Sequence, residues 1–209
     1  MYLSRVQLDT DLRATKLALA NPQMMHALVA GCFDNAPVKQ RPLWRIDRLA
    51  GSNYLLLVSE DRPDFSSLLA QLSSGEGHEV ITKEYTQFLD SIAEGDTYRF
   101  RLSANPVHST MPDSGLGSRG KVYGHITVDQ QKEWLKKRDT KLGFEISAFE
   151  LTGRAVRKFK RQGKTVTLSM ASFEGVLQVA DVGLLQKALT QGIGRAKAYG
   201  CGLLTVARL

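Results

Sequence analysis

The chain has 209 residues, 43% of them hydrophobic and 23% charged, which is typical of a globular protein large enough for two small domains. The aliphatic stretch at 54–58 is far too short to span a bilayer. The N-terminus lacks the charged segment followed by an apolar segment that is typical of a signal peptide. Cys32 and Cys201 are the only cysteines and neither belongs to a Cys/His cluster. A zinc site or a disulfide framework is therefore not expected, and a reducing cytoplasm fits.

The net charge of +7 is unevenly distributed. Residues 1–104 carry 11 basic and 13 acidic side chains, whereas residues 105–209 carry 17 basic and 8 acidic ones. All the excess positive charge thus lies in the second half. Solubility alone can explain a basic protein. An excess of positive charge in one half of the chain instead favours a nucleic-acid partner, because clustered Lys and Arg side chains bind a phosphate backbone.

The hydrophobic pattern of the first half predicts a ferredoxin-like unit, in which the order of elements is strand, helix, strand, strand, helix, strand. Asn21 and Pro22 suit the N-cap and first turn of a helix whose apolar residues recur at i, i+3, i+4, i+7 and i+8. The predicted elements are a strand at 1–8, a helix from 22 to about 35, strands at 43–48 and 54–59, a helix at 64–72 and a strand at 79–85.

The second half repeats this order with insertions. Its predicted elements are strands at 97–104, around 144–151, 154–161, 165–179 and at 203–207, with helices at 128–142 and 181–191 and a glycine-rich loop at 110–120. We therefore predict an α+β fold of two tandem ferredoxin-like (βαββαβ, RRM-like) domains, at residues 1–90 and 96–209.

His26 is the first candidate for chemistry. It lies beside the apolar stripe of its helix, on an edge shared with Gln23, so it is expected to face solvent or a cleft. Imidazole, with an unperturbed pKa near ~6.5, can accept or donate a proton near neutrality, and RNA supplies its own nucleophile in the 2′-OH. A surface histidine without a role is the alternative. His78, His108 and His125 are weaker candidates. His108 follows Asn105 and Pro106 at a strand end, where a phosphate contact is possible, but nothing in the spacing requires one.

Residues 154–164, RAVRKFKRQGK, contain six basic side chains and no acidic one. Charge on both faces of the predicted strand suits a protruding hairpin, and basic residues around an aromatic one can enter an RNA groove or follow its phosphates. A solvated ribbon without a ligand is equally consistent. The candidate RNA-binding residues are Arg154, Arg157, Lys158, Lys160 and Arg161.

The stretch GIGRAKAYGCGLL, residues 192–204, contains four glycines around two cations. Glycine permits close backbone approach to a phosphate, and a neighbouring cation can neutralise it. The alternative is a tight connection in which the glycines only turn the chain. The candidate RNA-binding residues here are Gly192, Gly194, Arg195, Gly200 and Gly202.

Five segments occur in order along the chain: MYLSRVQL, ANPQMMH, RFRLSANP, SFEGVLQV and QGIGRAKAYGCGLLTVA. Through them the chain resembles the CasE family, the repeat-processing subunit of the type I-E CRISPR surveillance complex (Cascade) in the RAMP superfamily. The resemblance spans essentially the whole chain. The closing glycine motif is common to the superfamily, whereas the boxes around His26 and Asn105 narrow it to CasE.

The resemblance implies a metal-independent endoribonuclease that cleaves precursor CRISPR RNA at the base of the repeat stem-loop. It also implies products with a 2′,3′-cyclic phosphate and a 5′-OH, and retention of the mature RNA. His26 matches the family's catalytic histidine. Some members carry a tyrosine three residues earlier, where this chain has Gln23, an amide that cannot donate a proton as an acid. Gln23, Lys197 and Tyr2 are therefore candidate auxiliary residues, with Arg195 a further one.

The expected partners are the repeat stem-loop RNA and other Cascade subunits, with no membrane, metal or small-molecule cofactor. Two alternatives stay open. Gln23 makes a non-catalytic stem-loop RNA-binding subunit worth testing, and the basic half is also compatible with a scaffold that meets an acidic protein.

Overall fold

The computed structural model describes residues 1–33, 41–73, 79–110 and 121–209. The strands are β1 (Tyr2–Leu8), β2 (Leu43–Leu49), β3 (Ser52–Ser59), β4 (Val80–Glu84), β5 (Thr97–Ala104), β6 (Val107–Ser109), β7 (Val122–Gly124), β8 (Phe144–Arg161), β9 (Lys164–Val179) and β10 (Leu204–Arg208). The helices are α1 (Arg13–Ala20), α2 (Pro22–Ala30), α3 (Ser66–Leu72), α4 (Thr86–Asp90), α5 (Val128–Lys136) and α6 (Val182–Gln191), with 3-10 turns at Gly31–Phe33, Thr140–Leu142 and Lys197–Tyr199.

The first sheet has the strand order β2-β3-β1-β4, with every neighbouring pair antiparallel. Alternation along β1 places Val6 and Leu8 in a core shared with Met25 and Val29 of α2 and Leu68 of α3. This is the ferredoxin-like arrangement predicted from the sequence. Helix α1 was not predicted, since its eight residues carry no N-cap side-chain bond to mark their start.

The second sheet has the equivalent order β8-β9-β5-β10, again antiparallel throughout. Helices α5 and α6 occupy the crossover positions, and the pair β6–β7 forms a separate two-stranded sheet after β5. The α+β fold with two ferredoxin-like sheets is thus confirmed.

Three predicted strands between residues 144 and 179 are in fact two. The break expected near Gly153 is a bulge, one of two register shifts in β8, between Ile146 and Ala148 and between Leu151 and Gly153. A bulge adds a residue and bends a strand without ending its pairing, so β8 continues through it. The predicted helix 128–142 is also shorter, because Asp139 accepts the Thr140 N–H at 2.7 Å and opens a separate 3-10 turn.

Some predicted features lie outside the described residues. They are the end of the first helix beyond residue 33, His78, and most of the loop at 110–120.

Arg45 of β2 ties the two sheets together. Its side chain is 2% exposed and makes a bidentate ion pair with Asp47, at 2.8 and 2.7 Å. The same guanidinium donates to the carbonyls of Arg101 and Leu203, each at 2.9 Å, and to Thr205 Oγ1 at 2.8 Å. A buried charge is stable only when its donors are satisfied, so this group fixes how the sheets meet.

Candidate active site and nucleic-acid interface

Helix α2 carries His26 to the junction between the two sheets. Pro22 occupies the first helical turn, and the Asn21 side chain accepts the Gln23 N–H at 3.0 Å, so the helix begins where the sequence predicts. Met25 and Val29 are buried beneath the helix, while His26 is half-buried on its edge. The histidine therefore faces a cleft.

Tyr199 of the second half meets the two polar residues of this helix. Its ring lies edge-on to the His26 ring with 6.0 Å between centroids, and its hydroxyl donates to Gln23 Oε1 at 3.3 Å. The Phe159 ring packs on the other side of Tyr199, with 4.7 Å between centroids. The tertiary structure thus brings together α2, the basic hairpin (residues 154–164) and the glycine-rich segment (residues 192–204).

Cations surround this cluster. Burial lowers the pKa of His26, and the positive charges of Arg41 and Arg161 lower it further. Burial also lowers the pKa of Lys197, with a further contribution from Arg41. Lys197 Nζ donates to the Gln191 carbonyl at 2.6 Å. At neutral pH His26 is therefore mainly uncharged, beside a group of positive charges that suits a phosphate.

A cavity of about 390 Å³ opens beside His26. Its wall combines one titratable group, one cation and apolar surface: His26, Val29, Ala30, Phe33, Arg41, Pro42 and Trp44. Such a wall can hold a phosphate at its charged end and a sugar or base against its apolar part.

The basic hairpin is formed by the ends of β8 and β9 and turns at Gln162 and Gly163. Its five predicted cations, Arg154, Arg157, Lys158, Lys160 and Arg161, are all exposed. Phe159 is 7% exposed because it packs on Tyr199 and Leu168. The hairpin thus does not protrude freely: the face that carries Phe159 lies against the glycine-rich segment, and this directs Arg161 towards His26.

The other hairpin face carries Arg154, Lys158 and Lys160. Lys160 Nζ donates to Thr165 Oγ1 at 2.9 Å, and Arg154 donates to the carbonyl of Ile126. Positive charge therefore continues along the hairpin towards the start of α5.

Backbone conformation and close packing explain the four glycines of the glycine-rich segment. All four have positive φ, and a Cβ on Gly200 would lie 2.7 Å from the Trp44 ring. Gly200 and Gly202 are buried, whereas Gly194 and Arg195 are exposed. Direct contact with RNA is thus available to Gly194 and Arg195, while Gly200 acts through the close approach of the segment to Trp44.

The remaining predicted residues lie apart from His26. Tyr2 is at the start of β1, paired with Ser59 and Glu84, and does not line the cavity at His26. Its auxiliary role stays a prediction. His108 and His125 lie together elsewhere, with 4.8 Å between ring centroids.

Sequence reasoning missed Arg41 and Tyr199. Tyr199 is the one aromatic residue of the closing glycine motif, and that is the signal by which the sequence could have singled it out. Nothing in the sequence around Arg41 marks it as a site residue. Arg41 lies just before β2, and it comes close to His26 only because β2 and α2 pack near each other in the folded protein.

Among the residues described by the structure, no group of three His, Cys, Asp or Glu side chains is arranged to hold a metal ion. Within the same residues, no helix is long and apolar enough to cross a membrane.

Two ferredoxin-like sheets joined at a basic, histidine-bearing cleft are the arrangement that the resemblance to the repeat-associated RAMP superfamily implies. The chain belongs to the CRISPR associated protein family, whose sequence model matches residues 1–208. The CRISPR-associated endoribonuclease Cse3 of Thermus thermophilus is 29% identical over 223 residues, covering 99% of this chain and 100% of that protein. The Cascade subunit CasE of Escherichia coli is 34% identical over 137 residues, 62% of this chain and 66% of CasE.

The fold agrees with solved structures. Thermus thermophilus Cse3 bound to an RNA that represents a pre-cleavage complex superposes with a TM-score of 0.81 at 27% identity, covering 99% of this chain and 98% of Cse3. The resemblance to the CasE family is confirmed by these comparisons.

Proposed function

We propose that this chain is an endoribonuclease that cleaves precursor CRISPR RNA at the base of the repeat stem-loop. It then stays bound to the mature RNA, with other Cascade subunits as partners and the cytoplasm as its location. The observation that carries the proposal is the position of His26, half-buried at the junction of the sheets beside Tyr199 and within the field of Arg41 and Arg161. The relatives support it, since one is named an endoribonuclease and another a Cascade subunit.

The reaction uses the nucleophile of the RNA itself. The 2′-oxygen attacks the adjacent phosphorus, a new P–O2′ bond forms and the P–O5′ bond breaks. The products are a 2′,3′-cyclic phosphate and a 5′-OH. One proton leaves the 2′-OH and one reaches the departing 5′-oxygen, so the protein has to move protons and stabilise the phosphorane charge.

His26 serves as the general base in this proposal. Burial and two neighbouring cations lower its pKa, so the imidazole is neutral at physiological pH and has a free nitrogen lone pair. A neutral imidazole can accept the proton of the 2′-OH, whereas an acid would have to be protonated beforehand.

Lys197 serves as the acid or as the stabiliser of the departing oxygen. Its lowered pKa makes it a better proton donor than an exposed lysine. Arg41 and Arg161 neutralise the phosphorane. The Oε1 of Gln23 accepts from Tyr199, and its Nε2 can donate to a phosphate oxygen.

RNA binding is assigned to the positive surface of residues 96–209, proposed as the second domain after a first domain at 1–90. The exposed cations of the hairpin and Arg195 suit a stem recognised by shape and phosphates, because side chains cannot read the deep, narrow major groove of double-stranded RNA.

The test is cleavage of repeat RNA in excess EDTA. We expect one cut at the base of the stem-loop, with a 2′,3′-cyclic phosphate on the upstream fragment and a 5′-OH on the downstream one. Activity lost in EDTA and restored by magnesium, with the RNA fold unchanged, would contradict the metal-independent mechanism. Tight binding with no cut under any condition would instead favour a non-catalytic stem-loop RNA-binding subunit, the reading that Gln23 keeps open.

A further inference from the structure

A second basic cavity lies on the other side of the glycine-rich segment. It has a volume of about 590 Å³, and its charged and titratable lining residues are His108, His125, Glu133, Lys137, Arg138 and Arg195. Three of these side chains are cations and two are histidines. The single acidic one, Glu133, is paired with Lys137 at 2.7 Å.

The histidine pair is held in place by a buried polar network. The backbone N–H of His125 donates to the Pro106 carbonyl at 2.9 Å, and its own carbonyl accepts from Gln131 Nε2 at 2.9 Å and Ser169 Oγ at 3.0 Å. Gln131 is 1% exposed. The position of His125 is therefore fixed by β9 and α5 rather than by an exposed turn.

The His125 side chain has an unused hydrogen-bonding atom. Among the described residues, Nδ1 of His125 is buried without a partner. A buried polar atom left unpaired costs free energy, and a turn of the ring that exposed Nδ1 to the cavity would let a phosphate or a water recover that cost. His108 lies against it with 4.8 Å between ring centroids, and two imidazolium ions that close repel unless an anion lies between them.

We propose that this cavity binds a phosphate group of the RNA other than the scissile one. The proposal rests on the proposed function, because it deepens how the same RNA is held. Arg195 links the two places: it lines this cavity and belongs to the glycine-rich segment that carries Lys197 and Tyr199 to His26. A strand that leaves the cleavage site along that segment would place another phosphate in this cavity.

The charge state of the cavity should respond to the ligand. The pKa of His125 is lowered by burial first and then by His108, and a phosphate beside it would raise that pKa again. The titratable and charged groups that face His125 are His108 from β6, Glu133, Lys137 and Arg138 from α5, and Arg195 from the glycine-rich segment. RNA binding should therefore take up protons here, and the extra contact should be strongest in mild acid.

The experiment measures salt dependence in the His26→Ala protein, which leaves the RNA uncut and removes the titration of His26. The log–log slope of stem-loop RNA affinity against salt is measured at about pH 5 and about pH 8, and the lower pH is set well below the ordinary histidine pKa because burial and His108 lower the pKa of His125. We expect the slope to be steeper at the lower pH by roughly 0.7–0.9, the contribution of one phosphate contact. Adding His108→Gln and His125→Gln should abolish that difference.

Controls separate the cavity from general effects. Arg195→Gln, at an exposed position, should flatten the slope at both pH values, whereas Lys83→Gln on the exposed edge strand β4 should leave it unchanged. A pH difference that survives in the histidine variant, or one that is absent from the parent, would overturn the proposal. Cleavage by the unmodified protein in parallel keeps the two proposals apart, because failure to cut would count against the proposed function instead.

Histidine NMR distinguishes the source of the phosphate. Shifts of His108 and His125 with inorganic phosphate alone, matched against chloride at equal ionic strength, would mean that the cavity takes free phosphate as well. Shifts with RNA only would assign it to a phosphodiester. Shifts with neither would sink the proposal.

Discussion

At the scale of single residues, His26 separates catalysis from binding. Its helix is anchored by Met25 and Val29, which are buried, so a change at the half-buried edge leaves the packing intact. Alanine is also a better helix former than histidine. The side chain can therefore be removed without unravelling α2.

His26→Ala should bind repeat RNA within a few-fold of the unmodified protein, yet its cleavage should fall by about 10²–10⁴, the range for one proton-transfer group. Gln23→Ala, the matched control on the same helix edge, should cost less because it removes a hydrogen bond only. Single-turnover cleavage at saturating enzyme excludes binding from the rate. Near-normal cutting by a folded His26→Ala protein would mean that the base lies elsewhere.

The pH profile of cleavage tests the division of roles between His26 and Lys197. The base must be neutral, so the rate should fall only when the pH drops through the lowered pKa of His26. The acid must be protonated, so the rate should fall again as the pH rises through the lowered pKa of Lys197. Lys197→Gln should reduce the rate and remove the alkaline limb. An alkaline limb that persists in this variant would assign the acid to another group.

At the scale of elements, the hairpin of β8 and β9 has two functions on two faces. Phe159 packs on Tyr199 and so places Arg161 near His26, while the opposite face presents Lys158 and Lys160 to solvent. The same ribbon thus completes the cleft and extends the positive surface.

Reversing Arg157, Lys158, Lys160 and Arg161 to Glu should weaken stem-loop RNA binding and flatten its salt dependence. Each lost phosphate contact should reduce the log–log slope by roughly 0.7–0.9. Phe159 stays in place, so the hairpin should remain docked, which circular dichroism and thermal unfolding can check. An unchanged slope in the folded variant would place the RNA on another surface.

At the scale of the whole molecule, the junction of the sheets depends on Arg45. Asp47 is 4% exposed, and Arg101 Nη1 lies 3.6 Å from it as a second, more distant cation. The larger core also crosses the junction, because Leu43 and Val58 of the first sheet pack with Phe173 and Leu204 of the second. The cleft at His26 is thus built on a buried boundary that ion pairs and a shared core hold together.

Arg45→Met should lower the free energy of unfolding by about 3–5 kcal/mol, the cost of breaking a buried pair by removing one partner. Adding Asp47→Asn should restore part of that loss, because no unpaired charge is then left buried. Denaturant unfolding of both variants measures the effect. Equal stability of the single and double variants would show that Arg101 already compensates Asp47.

The sequence by itself determined the fold class, the order of the elements and the candidate histidine, because these depend on local periodicity, on caps such as Asn21 and on motif spacing. The sequence predicted that a strand ends near Gly153, whereas β8 continues through this position. A bulge and the end of a strand give the same sequence pattern when the partner strand is unknown. Sequence reasoning also missed the short helices α1 and α4, whose local signals are weak.

Only the tertiary structure decided what surrounds His26. The residues around His26 come from other elements of the chain, namely Arg41, Phe159, Arg161 and Tyr199. Their proximity to His26 depends on how the two sheets pack together at Arg45. The lowered pKa of His26 follows from that meeting, because desolvation and neighbouring charge are properties of the packed cleft rather than of helix α2. The burial of His125 Nδ1 without a partner among the described residues likewise depends on packing that no local pattern encodes.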